Sequence, residues 1–189
     1  RGLFASDIHL TGQAADTAEH FFSALARHAR DVTDLFLLGD LFDYWVGDDQ
    51  DDALATRLAD TLRGLAQDGR RIWLMRGNRD FLLDTGRPSF SERAGARLLT
   101  DPTIAHCFGQ PVLLSHGDAL CIDDVDYQRM RVQVRDPHWQ QRFLAQPGVT
   151  YPIVGPHVSL DTTRPLDDLV AEVLRWLGQL DSEEAEEPT

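Results

Sequence analysis

The chain has 189 residues and a net charge of −13 at neutral pH, with every basic side chain an arginine. Such an acidic chain repels phosphate backbones, so nucleic acid is not an expected partner; a small phosphorylated substrate remains open, because bound divalent cations reverse the local sign. No apolar run approaches the ~20 residues of a membrane span, and the two cysteines, Cys107 and Cys121, offer no disulfide framework and fit a reducing compartment.

In chain order, Leu3-Phe4-Ala5-Ser6 predicts a first strand. It starts at once, leaving no room for a signal peptide, and a cytoplasmic protein is expected. Asp16-Thr17-Ala18-Glu19 reads as a capping sequence, after which Ala18, Phe21, Phe22, Leu25 and Ala29 recur at helical spacing. Leu35 to Leu38 is a second, buried strand. An acidic loop from Gly47 to Asp52 leads to a helix with Leu54, Leu58, Leu62 and Leu65 on one face and Gly69 as its stop. Ile72 to Arg76 is the third strand, a Gly86-Arg87-Pro88 turn and a short helix near Phe90 to Ala94 follow, and Val112 to Ser115 is the fourth strand. This alternation predicts an α/β fold with a mainly parallel sheet and helices on its faces. Trp139, Phe143 and Leu144 stand at helical spacing, for packing on the sheet or contact with an apolar substrate. Leu166, Leu169, Val170, Val173, Leu174 and Leu177 form a C-terminal amphipathic helix before an acidic tail.

The four predicted strands share one ending. They run into Asp7-Ile8-His9, Gly39-Asp40, Gly77-Asn78-Arg79-Asp80 and His116-Gly117-Asp118. Ligands of open α/β sheets bind at the carboxyl ends of strands, where loops carry polar groups on a fixed frame. Any one of these residues is ordinarily a loop cap, but Asp7, His9, Asp40, Asn78 and His116 together point to metal. Asp7 and His9 would project to one side of an extended segment and grip one ion. Asp40 has two oxygens and can bridge two. Carboxylates mixed with imidazoles suit Mn²⁺, Zn²⁺ or Fe²⁺ better than Mg²⁺ or Ca²⁺, and two ions ~3.5–4 Å apart clamp a phosphoryl group and activate water. Arg79 offers forked donors to a phosphate, the alternative being a surface pair with Asp80. Asp124 either meets a sugar or caps a helix starting near Val125. Tyr44 and Trp45 border the cleft or enter the core.

These blocks resemble the D-x-H, GD-x-x-D, GN-[HR]-[DE] and H-G-D motifs of calcineurin-like metallophosphoesterases. Ser6 to Leu10, Trp45-Val46-Gly47-Asp48-Asp49, Gly77 to Leu83, and His116 to Asp124 with Tyr127-Gln128 are similar, more narrowly, to the UDP-2,3-diacylglucosamine diphosphatase family. The resemblance covers residues 1 to about 146, read as the metallophosphoesterase domain. It implies a sandwich of two sheets flanked by helices, and hydrolysis of UDP-2,3-diacylglucosamine to UMP and the acylated sugar 1-phosphate in lipid A biosynthesis. It also implies transient contact with the inner membrane surface through the acylated substrate, and two Mn²⁺ ions. On it, Asp7 and His9 hold the first ion, Asp40 bridges, Asn78 and His116 hold the second, and Asn78, Arg79 and Asp124 meet substrate. Asp40, Asn78 and His116 are the expected catalytic residues.

Beyond Gln146 the chain departs from that family. Where members carry a Gly-His-x-His block that completes both metal shells, this chain has Gly155-Pro156-His157-Val158, with His157 at the offset position. It has no lysine for the family's substrate-binding lid. A depleted second sheet, a divergent segment over 147–180 with its helix, and a disordered tail over 181–189 are the expectations, with each ion short of one ligand.

Overall fold

The computed structural model describes residues 1–50 and 52–145. The expectations for 147–180, for the tail and for His157 lie outside those residues. Four parallel strands, β1 (Gly2–Ala5), β2 (Asp34–Leu38), β3 (Arg71–Met75) and β4 (Arg97–Leu99), lie side by side in chain order. They are connected by the helices α1 (Ala15–His28), α2 (Ala53–Gln67) and α3 (Phe90–Ala94).

The period of two along each strand sends successive side chains to opposite faces of this sheet. Leu35, Leu37, Ile72 and Leu74 pack with Phe22 and Leu25 of α1 and with Leu58 and Leu62 of α2. Phe36 and Met75 pack on the other face with Cys107 and Leu114. Both faces are therefore covered, which is why the strands read as continuous apolar runs rather than alternating ones.

Cys107 and Leu114 belong to a second, antiparallel sheet of two strands, β5 (Thr103–Cys107) and β6 (Gln110–Leu114). The segment predicted as the fourth strand is thus β6, and it pairs with β5 rather than joining the parallel sheet. The cause is local: Phe108 and Gly109 both have positive φ, +57° and +84°, the backbone of a two-residue hairpin turn. The fourth parallel strand is instead the three-residue β4, entered through left-handed Gly95.

The capping expectation for α1 fails as well. The helix starts at Ala15 with no side-chain cap, and Glu19 pairs with Arg57 of α2 instead. Asp52 caps α2 through the Ala55 amide (2.9 Å), and left-handed Gly69 follows its end as predicted. Two more helices, α4 (Val125–Val134) and α5 (Pro137–Leu144), follow the hairpin. Phe143 and Trp139 of α5 stack at 5.1 Å and pack on the core, which places them in structure rather than on a substrate surface. Trp45 is fully buried against Phe42 and Phe90, whereas Tyr44 is half exposed.

Candidate active site

The carboxyl ends of β1, β2 and β3 and the end of β6 converge, and each delivers part of the site. Asp7 and His9 do not reach it along an extended strand as predicted. β1 ends at Ala5, and both residues adopt left-handed backbone, φ +54° and +50°. Amides from Asp7 to Leu10 then donate to the carbonyls of Gly39, Asp40 and Leu41 at 2.8–3.1 Å, which sews this turn to the β2 end. Asp40 is left-handed too, at φ +52°. Non-glycine residues in this region are uncommon and concentrate at functional sites, where surrounding structure holds them.

Asp40 is nearly fully buried and stands between two imidazoles. Its Oδ2 lies 3.8 Å from His9 Nε2 and its Oδ1 lies 3.6 Å from His116 Nε2. Neither distance is a hydrogen bond. Both are near the ~3–3.5 Å expected between donors that share an ion at bonds of ~2.1 Å. Ligand atoms of Asp7, His9 and Asp40 all lie within 4.8 Å of one another.

His116 and Asn78 supply a second test of fit. His116 Nδ1 meets the Leu38 carbonyl at 2.9 Å, and a carbonyl only accepts, so Nδ1 carries the proton. In neutral imidazole Nε2 is then a bare lone pair, yet it faces Asn78 Oδ1, another acceptor, at 2.9 Å. An imidazole lone pair and an amide oxygen turned to the same point are two neutral donors that one cation can share. The donor set therefore fits divalent metal: Asp7, His9 and Asp40 as one group, and Asp40, Asn78 and His116 as the other.

Close backbone approach makes this possible. A Cβ on Gly39 would stand 2.6 Å from His116 Nδ1 and 2.7 Å from Gly77 Cα, and one on Gly77 would overlap the Asp40 carboxylate. Only glycine fits either place.

Asp80, which the sequence offers only as a partner for Arg79, holds the two loops together. It is fully buried and accepts the amides of Gly77 (2.6 Å), Leu41 (2.8 Å) and Asp40 (3.3 Å), so one carboxylate ties the β2 loop to the β3 loop. Burial pushes its carboxyl up from the usual range against those donors. The only signal in the sequence was its place in the Gly77-Asn78-Arg79-Asp80 block. Arg79 instead pairs with Asp43 at 3.1 Å, both half exposed, while its amide donates to Asp40 Oδ1 at 2.9 Å. Asp124 caps α4, accepting from the Tyr127 amide at 2.9 Å, and is exposed.

Asp48 of the acidic loop is buried and accepts the amides of Gly86 (2.7 Å), Asp84 (3.2 Å) and Phe90 (3.3 Å). It shapes the loop ahead of α3 and does not join the metal-binding groups; burial pushes its carboxyl up as well.

The calcineurin-like phosphoesterase family profile matches residues 1–184. The chain is 46% identical over 145 residues to UDP-2,3-diacylglucosamine hydrolase of Cellvibrio japonicus, covering 77% of this chain and 59% of that protein. It is 48% identical to the protein of the same name from Aromatoleum aromaticum, with 77% and 58% covered, and 49% identical to that from Chromobacterium violaceum, with 76% and 59% covered. The chain thus spans less than two thirds of the length of these relatives. No helix among the described residues is long and apolar enough to cross a membrane. A parallel sheet backed by helices, a small second sheet, a site of Asp, His and Asn at the strand ends, and a profile match along nearly the whole chain agree: the chain belongs to the calcineurin-like phosphoesterase family.

Proposed function

We propose that the chain is a metal-dependent pyrophosphate hydrolase that cleaves UDP-2,3-diacylglucosamine to UMP and 2,3-diacylglucosamine 1-phosphate, with two Mn²⁺ ions held by Asp7, His9, Asp40, Asn78 and His116. The observation that carries this reading is Asp40, buried, with each of its two oxygens turned to a different imidazole. Identity of 46–49% to proteins named for this substrate supports the choice of substrate. Bound as a pair, the ions would supply charge for the phosphoryl oxygens and a water activated at neutral pH.

The chain's own residues do the rest. The Leu38 carbonyl fixes the His116 ring so that Nε2 presents its lone pair. The Arg79 amide fixes one oxygen of Asp40, while the Arg79 guanidinium, half exposed, is placed to leave Asp43 for a substrate phosphate. Asn78 would meet both metal and phosphate, and Asp124, at the exposed start of α4, the sugar. The protein works on the cytoplasmic side, touching the inner membrane surface through its acylated substrate.

Release of UMP from UDP-2,3-diacylglucosamine with Mn²⁺ present, abolished by EDTA and restored by fresh Mn²⁺, tests the reading. No release under any metal would overturn it. A second reading, a metal-binding homologue with impaired turnover, follows if Gly155-Pro156-His157-Val158 takes the place of the family's two-histidine block. It predicts readily stripped metal and turnover ~100-fold or more below a complete family member, on the ~10–100-fold scale of losing even outer partners of a metal site.

A further inference from the structure

Tyr127, Arg131 and Arg135 stand four residues apart along α4 and its end, and so share one stripe of the helix. All three reach the same atom. Asp118 Oδ2 accepts from the Tyr127 hydroxyl, takes Arg131 Nε at 2.9 Å and lies 3.5 Å from Arg135 Nη2. Gln128, on the next position of that face, donates to the Asp118 carbonyl at 3.0 Å.

The two arginines also reach past Asp118. Arg131 Nη2 donates to Asp101 Oδ2 at 3.3 Å, and the other oxygen of Asp101 accepts the His116 amide at 3.2 Å and the Ser115 hydroxyl at 2.8 Å. Arg135 Nη2 donates to the Gly77 carbonyl at 3.0 Å, one residue before Asn78. One helix stripe therefore grips the loop that carries His116 and the loop that carries Asn78, whose facing atoms are 2.9 Å apart. Apolar packing of α4 among the described residues is limited: Val134 is its one buried apolar side chain, Met130 is partly buried on the core, and Val125 and Val132 are exposed. The polar stripe sets the seat of the helix, and the helix in turn sets the two loops.

We propose that Arg131 and Arg135 are positioning residues for the Asn78–His116 pair, fixing the separation of the two side chains that take the second ion while leaving the Asp7–His9 side of the site alone. The inference rests on the two-ion reading above. The planar fork of arginine suits the task, because one guanidinium bridges two acceptors in fixed geometry and an ammonium does not.

Mn²⁺ titration followed by paramagnetic resonance, with thermal melting alongside, tests this on the wild type, Arg135→Ala, Arg131→Ala and Arg135→Lys. Each alanine variant should weaken one of the two ions ~10–100-fold, the range for lost outer-shell partners, and leave the other at its wild-type affinity. Arg135→Lys should recover part of the loss, because its ammonium keeps the charge and can still donate to the Gly77 carbonyl. If Arg135→Ala does not fold, Arg131→Lys, which keeps the charge but cannot bridge Asp101 and Asp118 through a fork, carries the same comparison. Equal weakening of both ions, in step with the melting temperature, would show general loosening and overturn the clamp. So would two ions held with unchanged affinity in every variant. A wild type that takes up fewer than two ions refutes the two-ion reading itself and the clamp with it, and is told apart from those outcomes by the wild-type titration alone.

Discussion

Asp80 offers the sharpest test of how the site is held. In Asp80→Ala, three buried amides, those of Gly77, Leu41 and Asp40, lose their acceptor. An unsatisfied buried donor costs ~1–3 kcal/mol, so the three sum to roughly 3–9 kcal/mol. Part is returned, because the wild type bears the cost of a charge buried out of solvent. A net loss of ~3–5 kcal/mol is expected, a large share of the ~5–15 kcal/mol that holds a typical domain together. At ~2–4 °C per kcal/mol for a chain of this size, the melting temperature should fall by roughly 6–20 °C.

Asp80→Asn separates the contributions. Its oxygen can still serve Gly77 and Asp40, which share Oδ1, but its amide would face the Leu41 amide, donor against donor. That single lost bond costs ~1–3 kcal/mol. Urea denaturation of the three proteins gives the ranking wild type, Asn, Ala. An alanine variant within ~1 kcal/mol of wild type, or an asparagine variant below the alanine one, would refute the reasoning.

Further expectations concern other residues. Asp40→Asn should strip both ions together, whereas Asp43→Asn, which breaks only a half-exposed pair with Arg79, should leave metal content near wild type; equal losses by elemental analysis would contradict Asp40 as the bridge. Burial works to raise the Asp34 carboxyl, but hydrogen bonds from Arg71, Trp73 and Thr33 outweigh it and hold the group below its ordinary 3.8. A depressed carboxyl adds stability above the unfolded value and loses it as pH falls through the folded one. The gap in urea midpoint between wild type and Asp34→Asn should therefore be full at pH 5–7 and shrink as pH falls below 3.8; a gap independent of pH would refute the assignment. Cys121 is exposed and Cys107 buried between the sheets, so a thiol reagent should label one cysteine quickly in the native protein and both after denaturation; two fast thiols, or none, would disagree.

Much of this arrangement could be read from residue order. The runs Leu35 to Leu38 and Ile72 to Met75 are apolar on both faces, so they announce buried parallel strands whatever surrounds them. Side chains at Leu58, Leu62 and Leu65 recur with the helical period and mark α2 in the same way. The residues gathered at the strand ends were legible because a strand's carboxyl end is a place defined by sequence: the first polar residue after the run.

Tertiary structure decided what depends on partners distant in the chain. β6 resembles any apolar strand, and only the positive φ of Phe108 and Gly109 sends it back along β5 into a second sheet. Asp7 and His9 converge through left-handed turns because the Gly39 and Asp40 carbonyls hold their amides, an arrangement that strand alternation alone does not contain. Asp80, Asp101 and Asp118 look alike in sequence, as acidic residues near turns. Their roles differ because one faces three amides of the Asp40 loop, another the His116 amide, and the third a stripe of arginines on α4. Local propensity and periodicity act within a few residues, whereas a buried carboxylate takes its meaning from whichever donors the fold brings within hydrogen-bond reach.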